Sequence, residues 1–347
     1  MRVAVVDKER CKPDKCTYEC IRFCPMVRTR REAIRQDTDG KAYVSEYICS
    51  GCGICVKKCP FDALSIVNLP DALESEHLHR FGPNSFTLYR IPKPRQGSVV
   101  GLLGRNGIGK STLLKVLAGE LIPNFGKFDE PPTKEEVIEH YIGTPMYEYF
   151  EGVYGGDFKA IHKPQYVDKI PKVVKGKTGE LLEKLDERGV LDEIVDDLEL
   201  GHLLDRDLTV LSGGELQRVA IAECLSRDAD IYLLDEPSAY LDVEERLAVA
   251  RAIRRITKMR GVTAFVVEHD IVTQDFIADK IMVFDGESGK YGHAGNPQSL
   301  EDGMNTFLEQ MDVTFRRDGD TKRPRVNKPD SRLDREQKQS GRYYYSA

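Results

Sequence analysis

The sequence predicts an α/β phosphate-binding domain preceded by a small α+β domain rich in cysteine, and two patterns carry this prediction. Eight of the nine cysteines lie within the first sixty of 347 residues. Beyond them, GRNGIGKS at 104–111 follows a short apolar run and precedes a helical one. A strand, a glycine-rich loop and a helix in this order form a P-loop. The length allows two or three domains and at least one sizeable core.

Composition indicates an ordinary globular protein, with 40% hydrophobic and 31% charged residues. The longest apolar runs, such as IYLL at 231–234, are far shorter than the ~20 residues that span a membrane, so no membrane partner is expected. The N-terminus has no apolar signal core, which predicts a cytoplasmic protein with reduced thiols. The net charge is -6, but both ends are basic, which permits contact with nucleic acid.

The cysteines fall into two runs that predict iron-sulfur ligation. The second run, CSGCGICVKKCP, has the bacterial-ferredoxin spacing of two, two and three residues before Cys-Pro. The first run also ends in Cys-Pro, but its spacings are four, three and three residues. In two-cluster ferredoxins the fourth cysteine of a run ligates the other cluster. This predicts one [4Fe-4S] cluster on Cys24, Cys49, Cys52 and Cys55 and a second on Cys11, Cys16, Cys20 and Cys59.

Two alternatives stay open for the cysteine region. Zinc also accepts four thiolates, although the compact second run and the Cys-Pro endings favour iron-sulfur. Clusters can transfer electrons or can brace a small domain whose own core is poor. The ninth cysteine, Cys224, lies in the apolar stretch VAIAECL and is predicted to be a buried thiol.

The P-loop assigns phosphate-binding roles to consecutive residues. Backbone amides of the loop and of the following helix cradle phosphates, and Lys110 reaches the terminal ones. The hydroxyl of Ser111 is a predicted Mg²⁺ ligand. The full set of predicted ATP contacts in the loop is Gly104, Asn106, Gly107, Gly109, Lys110, Ser111 and Thr112.

Two carboxylates come directly after a second apolar strand, predicted at 231–234. Asp235 is predicted to hold Mg²⁺, through water, and Glu236 to polarise the attacking water beside the γ-phosphate. An acidic pair after a strand is common in α/β proteins. LSGGE at 211–215, some twenty residues upstream, makes the catalytic interpretation the stronger one.

The P-loop, LSGGELQR, LLDEP and SAYLD together resemble the nucleotide-binding domain of ABC ATPases over roughly 77–300. The resemblance implies that Gln165 is the Q-loop glutamine and a Mg²⁺ ligand, and that His269 senses the γ-phosphate. It places the adenine on Phe81 or Phe86, with Tyr89 as a weaker third. It also implies that each ATP lies between two cassettes, so that Ser212, Gly213 and Gly214 complete an ATP site on a partner. Glu215 belongs to the same signature, and Asp242 closes the D-loop.

Longer phrases resemble the ABC-E family of ribosome-recycling ATPases, also called the RNase L inhibitor family. They include CKPDKC, FDALSIVNLP, GELIPNFGKF and RPRVNKPDSRLDREQKQSG. The resemblance implies an ABC-type P-loop domain preceded by a bacterial-ferredoxin-like domain, with two [4Fe-4S] clusters, ATP and Mg²⁺. The implied partners are the small ribosomal subunit, through rRNA and protein, a translation release or rescue factor, and a second nucleotide-binding domain.

The predicted domains are an iron-sulfur domain at 1–70, a linker at 71–76, the cassette at 77–313 and a hinge-like tail at 314–347. The tail is charge-rich and poor in aliphatic residues, so in isolation we expect partial disorder. Because the family has a second cassette after this hinge, the sequence is expected to be a fragment, a truncated form or a naturally split version.

A helix-loop-helix insertion is predicted at about 133–157. Thr133 and Glu136 form a capping-box pattern before an apolar stripe, and Gly143-Thr144-Pro145 separates two helices. Aromatic residues of the insertion can pack on the body or contact the ribosome. The arginines of the N-terminal region pose the same choice between a solvated face and a phosphate contact: Arg28, Arg30 and Arg31.

The main functional hypothesis is a factor that splits ribosomal subunits, in which ATP-driven closure of two cassettes moves the iron-sulfur domain. One alternative is a nucleotide-gated electron carrier, whose clusters change redox state as ATP is hydrolysed. Another is the soluble ATPase of a transport or cluster-assembly complex, which gives no reason for two clusters.

Overall fold

The computed structural model describes residues 2–37, 39–45, 48–68, 77–82, 85–91, 97–318 and 324–344. The chain divides into two compact units. The first comprises 1–90, 123–131 and 287–292, and the second comprises 91–122, 132–286 and 293–347. The predicted linker at 71–76 lies outside the described residues, and the predicted domain boundaries stay a prediction. Among the helices that the structure describes, none is long and apolar enough to cross a membrane.

The first unit contains short strands and helices around the cysteine runs. Their bounds are β1 (Arg2–Val6), α1 (Glu19–Arg22), α2 (Pro25–Arg28), β2 (Ile34–Gln36), β3 (Ala42–Val44), α3 (Ile54–Lys58), β4 (Leu64–Asn68), β5 (His77–Arg80) and β6 (Thr87–Tyr89). The antiparallel pairs are β1 with β4, β2 with β3, and β5 with β6. Cys20, Cys24 and Cys55 belong to the buried cluster of this region, together with small apolar side chains such as Ala4 and Val44.

The second unit is built on a parallel sheet. Its first elements are β7 (Val99–Leu103), α4 (Lys110–Leu117), α5 (Lys134–His140), α6 (Met146–Gly155), β8 (Ala160–Lys163), α7 (Ile170–Val173), α8 (Thr178–Leu185), α9 (Leu191–Asp197), α10 (Gly213–Ser226), β9 (Ile231–Asp235), α11 (Val243–Arg260), β10 (Thr263–Val267) and α12 (Ile271–Ile277). There follow β11 (Lys280–Glu287), β12 (Tyr291–Ala294), β13 (Gln298–Ser299), α13 (Leu300–Met311), β14 (Phe315–Arg317), β15 (Pro324–Val326) and α14 (Arg332–Ser340). The last residue of β11 and the first two of β12 lie in the segment 287–292, which belongs to the first unit.

The order of parallel strands, β8-β9-β10-β7-β11, explains where the functional residues meet. Strands β7, β9 and β10 are buried along their whole length, as expected for a parallel sheet covered on both faces. The carboxyl ends of parallel strands lie at one edge of the sheet, where ligands of open α/β folds bind. The P-loop follows β7, Glu236 follows β9, and Gln165 and His269 come two residues after β8 and β10.

The predicted insertion forms two helices, α5 and α6. Thr133 and Glu136 make the expected capping box at the start of α5. Phe150 is buried and stacks with Tyr141 and Tyr154, with ring centroids 5.1 and 5.5 Å apart. The hydroxyl of Tyr149 donates to the carbonyl of Leu117 at 2.7 Å. These aromatic side chains therefore pack the hairpin and join it to α4.

The described residues of the tail fold onto the second unit, and partial disorder of the tail in isolation stays a prediction. Thr314, Asn327 and Asp334 are buried. The hydroxyl of Thr314 donates to Asp334, and the amide of Asn327 donates to that hydroxyl at 2.9 Å and to Gln337. Polar groups that satisfy one another replace the missing aliphatic core, so a count of aliphatic residues underestimates the order of this segment.

Candidate functional site

One group of four cysteines lines a cavity of the first unit. Cys11, Cys16, Cys20 and Cys59 surround a space of ≈ 330 Å³, counted out to its open mouth. Burial, with a smaller contribution from the other three cysteines, raises the pKa of the Cys20 thiol to about 12. The structure therefore brings together the four residues predicted for one cluster, including Cys59 from the second run.

The other four cysteines also lie near one another. Burial, together with the nearby Cys49, Cys52 and Cys24, raises the pKa of the Cys55 thiol to about 11. Cys24 and Cys55 are buried, whereas Cys52 is exposed. Cys24 comes from the first run, so the two runs are crossed as the ferredoxin spacing predicts.

The residues present fit a cluster. Four cysteines line the cavity, and four thiolates are the ligand set of a [4Fe-4S] cluster. Within the described residues, no three His, Cys, Asp or Glu side chains are grouped so as to hold a single metal ion. Backbone amides also point at sulfur, from Gly51 to Cys49 and from Ala63 to Cys59, each at 3.4 Å.

The phosphate-binding loop joins β7 to α4. Gly107 and Gly109 have φ values of 71° and 98°, in the left-handed region that favours glycine. The ammonium group of Lys110 is buried and donates to the carbonyls of Gly104 at 2.7 Å and Arg105 at 3.0 Å. These two hydrogen bonds hold the lysine side chain against its own loop.

The surroundings of Lys110 affect its pKa in two opposite directions. Burial lowers the pKa of Lys110 to about 8, while Asp235 and Glu236 act in the opposite direction. A phosphate at the loop would supply further negative charge and favour the protonated lysine. The lysine is therefore placed to exchange loop carbonyls for an anionic ligand.

Asp235 fits a Mg²⁺ site. Its side chain is 3% exposed, and burial raises its pKa, against a hydrogen bond with Ser111 that lowers it. Its Oδ1 is buried and has no hydrogen-bond partner in the part of the chain that the structure describes. A buried carboxylate oxygen without a partner is costly, and a hydrated cation next to Ser111 would satisfy it.

The three predicted catalytic residues converge on one oxygen atom. Oε1 of Glu236 accepts a hydrogen bond from Nε2 of Gln165 at 2.7 Å and lies 2.8 Å from Nε2 of His269. The residues follow three different strands of the sheet. Their convergence places a carboxylate, an amide and an imidazole beside the P-loop lysine, whose pKa Glu236 affects.

The backbone of Glu236 is strained and firmly held. Its φ of 46° lies in the left-handed region, which costs a residue with a side chain about 1–3 kcal/mol. Its N–H donates to the carbonyl of Val267 at 2.9 Å. Its carbonyl accepts from Gln217 at 2.7 Å and from the ammonium of Lys163 at 3.4 Å.

Lys163 and Gln217 are residues that sequence reasoning missed. Both are buried, and Lys163 also donates to the carbonyl of Asp235 at 3.0 Å. Burial lowers the pKa of Lys163 to about 8. In the sequence, Lys163 stands at the end of the AIHK strand and Gln217 lies inside an apolar helix. Neither pattern shows that the side chain bonds the backbone carbonyls of Asp235 or Glu236.

The signature residues start a helix. Ser212 caps α10 in a capping box with Glu215, and Glu215 also accepts from Arg206 at 2.7 Å. A Cβ atom on Gly214 would lie 3.0 Å from the carbonyl oxygen of Tyr240, so the close approach favours glycine. Asp242 caps α11 by accepting from the N–H groups of Glu244 and Glu245.

The aromatic residues predicted for adenine lie in the first unit, whereas the P-loop belongs to the second. Phe81 is 54% exposed, and its ring centroid is 6.5 Å from that of Phe86. Tyr89 is buried and packs edge-on against Tyr291. The rings of Phe81 and Phe86 are therefore more exposed than the ring of Tyr89. The stacking of adenine on either of them stays a prediction.

Family models and known proteins match both the cysteine region and the nucleotide-binding region of the sequence. A model described as "ABC transporter" matches residues 93–239. A "possible Fer4-like domain in RNase L inhibitor, RLI" matches 1–32, and a "4Fe-4S binding domain" matches 42–65. An uncharacterised ABC transporter ATP-binding protein of Methanocaldococcus jannaschii is 49% identical over 324 residues, which is 92% of this chain and 53% of that protein.

Translation initiation factor RLI1 of Chaetomium thermophilum is 48% identical over 312 residues, covering 89% of this chain and 51% of that protein. The chain belongs to the RNase L inhibitor, or ABC-E, family. A solved structure described as a model of ribosome-bound archaeal Pelota and ABCE1 matches all of this chain and 99% of that one, with 31% identity and a TM-score of 0.56.

Membership of the ABC-E family confirms the predicted fold class, an ABC-type P-loop cassette preceded by ferredoxin-like iron-sulfur sequence. The chain spans about half the length of the curated ABC-E relatives that it matches. The roles of individual residues stay predictions.

Proposed function

We propose that the second unit binds and hydrolyses ATP, with Glu236 as the group that polarises the attacking water. The observation that carries the proposal is the convergence of Gln165 and His269 on Oε1 of Glu236. A carboxylate held on both sides keeps one orientation, which general-base catalysis requires. The strained backbone of Glu236 is consistent with this role, because such strain clusters at active sites.

The remaining residues bind and orient the nucleotide. Amides of the loop 104–111 and of the first turn of α4 donate to phosphate oxygens, and Lys110 moves from its loop carbonyls to the terminal phosphates. Ser111, Gln165 and Asp235 would hold Mg²⁺, which neutralises charge that develops on the phosphates. His269 would contact the γ-phosphate. Because His269 also lies against Glu236, this contact would couple the presence of the phosphate to the position of Glu236.

A second cassette is part of the proposal. Ser212, Gly213 and Gly214 would complete an ATP site on another cassette, and a signature from that cassette would complete the site at Lys110. The second cassette is either another copy of this chain or a further part of a longer protein. In both cases closure depends on ATP, because the nucleotide forms part of the interface.

We further propose that the first unit holds two [4Fe-4S] clusters in the crossed arrangement. The cavity lined by Cys11, Cys16, Cys20 and Cys59 supports one site, and the raised pKa of Cys55 beside its three neighbours supports the other. Bound clusters would keep the buried thiols deprotonated and cross-link the two runs. This cross-linking would make the first unit rigid, as expected for a domain that ATP-driven closure moves as a whole. Such a role does not require electron transfer.

The proposed partner is the ribosome, specifically its small subunit, with a release or rescue factor present. Support comes from the relatives: one is named a translation initiation factor, and one solved structure is described as ribosome-bound with Pelota. We propose that ATP-driven closure splits the subunits. Basic residues at both ends of the chain are consistent with contact to RNA.

Co-sedimentation tests this function. The iron-loaded chain, with a non-hydrolysable ATP analogue, is expected to sediment with small ribosomal subunits and to be released with ADP. The control reaction contains large subunits alone. No binding under these conditions, together with ATP turnover that oxidises or reduces the clusters, would reject the ribosomal proposal in favour of a nucleotide-gated electron carrier.

A further inference from the structure

A buried glutamate joins the two loops that carry the proposed catalytic residues. Glu268 lies between β10 and His269 and is 4% exposed. Its Oε1 accepts from the N–H of Ser238 and its Oε2 from the Ser238 hydroxyl, both at 2.8 Å. Ser238 is equally buried and lies two residues after Glu236. The Glu268–Ser238 pair therefore ties the loop after β9 to the loop after β10.

The surroundings of Glu268 make its charge costly. Burial raises the pKa of Glu268 to about 7, the two bonds from Ser238 lower it, and the nearby carboxylates of Glu236 and Asp270 raise it again. Lys163 is the buried cation that interacts with Glu268. A neutral side chain would suit this position better for stability alone, and costly buried charges concentrate at functional sites.

The pair lies where it can set a catalytic distance. Glu236 and His269 are 2.8 Å apart and belong to the two loops that the pair joins. At the strand ends, the N–H of Glu236 also donates to the carbonyl of Val267, at 2.9 Å. Beyond the strand ends, Glu268 limits how far the loops can separate.

We propose that Glu268 is a positioning residue, which fixes the loop after Glu236 and so keeps Glu236 within hydrogen-bonding distance of His269. The proposal rests on the proposed ATP hydrolysis. Glu268 itself contacts neither nucleotide nor attacking water. Its loss should therefore slow the chemical step and leave nucleotide affinity intact, because the P-loop and Lys110 are unchanged.

Glu268→Ala and Glu268→Gln separate this role from simple packing. A glutamine can accept from the Ser238 N–H and donate to the Ser238 hydroxyl, so it keeps both contacts without the charge. We expect Glu268→Ala to lower kcat about 10-fold or more at unchanged KM, since small misplacements at a catalytic site are costly. Glu268→Gln should restore kcat to within about three-fold of the wild type.

Glu223→Ala is the matched control, because Glu223 is a half-buried glutamate on α10 that pairs with Arg227 away from the catalytic residues. Its kcat should equal that of the wild type. In the Glu236→Gln background, Glu268→Ala should cause no further loss, as expected for residues that act as a unit.

Two results would overturn the positioning role: a wild-type kcat in Glu268→Ala, or an equal loss in Glu268→Ala and Glu268→Gln. These results leave ATP hydrolysis itself intact, provided that Glu236→Gln still abolishes turnover. Absence of turnover in the wild type assembled with a second cassette would instead reject the proposed function.

Discussion

The cysteine region of the first unit and the nucleotide site of the second are organised in opposite ways. The eight cysteines of this region come from one stretch, 11–59. Burial raises the pKa of Cys20 and Cys55, so a bound cluster would be needed to keep these thiols deprotonated. The nucleotide site draws on separate segments, and its side chains already bond one another. Lys110 closes on its own loop, and Gln165 and His269 both hold Glu236.

The difference indicates what stabilises each region. The cysteine region should owe much of its stability to the clusters, because ligand binding is then part of folding. The nucleotide site should be formed without its ligand, because a buried parallel sheet supports it. Removing single side chains should therefore affect stability in the first case and turnover in the second.

The largest effect is expected for a cluster ligand. Cys20→Ser should remove about half of the iron and destabilise the first unit, because the buried ligand closes the cavity and binding energy is folding energy. ATP affinity should not change. Iron content and thermal unfolding measure the outcome. Cys224→Ala is the control, since Cys224 is a buried cysteine outside the cavity, and it should keep all iron. Full iron content in Cys20→Ser would contradict the crossed assignment.

The catalytic residues should give the opposite result. Gln165→Ala and His269→Ala should each lower kcat about 10- to 100-fold, because Glu236 loses one of the two groups that orient it. Iron content and the midpoint of thermal unfolding should stay within error. Tyr166→Ala is the matched control, because Tyr166 is adjacent to Gln165 but 60% exposed. A loss of stability parallel to the loss of kcat would show that these residues are structural.

The buried charge of Glu268 predicts how stability depends on pH. Its pKa of about 7 in the folded protein lies above its ordinary value of 4.5. The folded state therefore binds the proton more tightly, and stability falls as pH rises from 4.5 to 7. Relative to Glu268→Gln, the wild type should lose about 3 kcal/mol of unfolding free energy across this window and stay level outside it. Denaturant unfolding of both proteins at several pH values checks this, and parallel curves would contradict it.

The smallest effect concerns the tail. Asn327→Ala should lower the unfolding free energy by about 1–3 kcal/mol, because Thr314 and Gln337 lose a buried partner. Iron content should not change, since the tail belongs to the second unit. Lys328→Ala, at an exposed neighbouring position, is the control. Unchanged stability in Asn327→Ala would show that the polar network contributes little.

Patterns that are local in sequence were predictable, and long-range contacts were not. Cysteine spacing and the P-loop carry their chemistry in consecutive residues, and family membership confirms the fold class that they predicted. The roles of Lys163, Gln217 and Glu268 depend on backbone groups that sheet register brings close, which no spacing reveals. Partial disorder of the isolated tail stays a prediction; within the chain, aliphatic content did not reveal that the described tail residues are held by buried polar groups such as Asn327.

The central claim, that Glu236 is the catalytic carboxylate, is tested most directly by the nucleotide that Glu236→Gln retains. The iron-loaded variant, assembled with a second cassette, is incubated with ATP and Mg²⁺ and its bound nucleotide is analysed. The account predicts trapped ATP, a normal iron content and turnover at least about 100-fold below the wild type, since glutamine can still be oriented by Gln165 but cannot polarise water. Bound ADP at the wild-type level, with unchanged phosphate release, would contradict it.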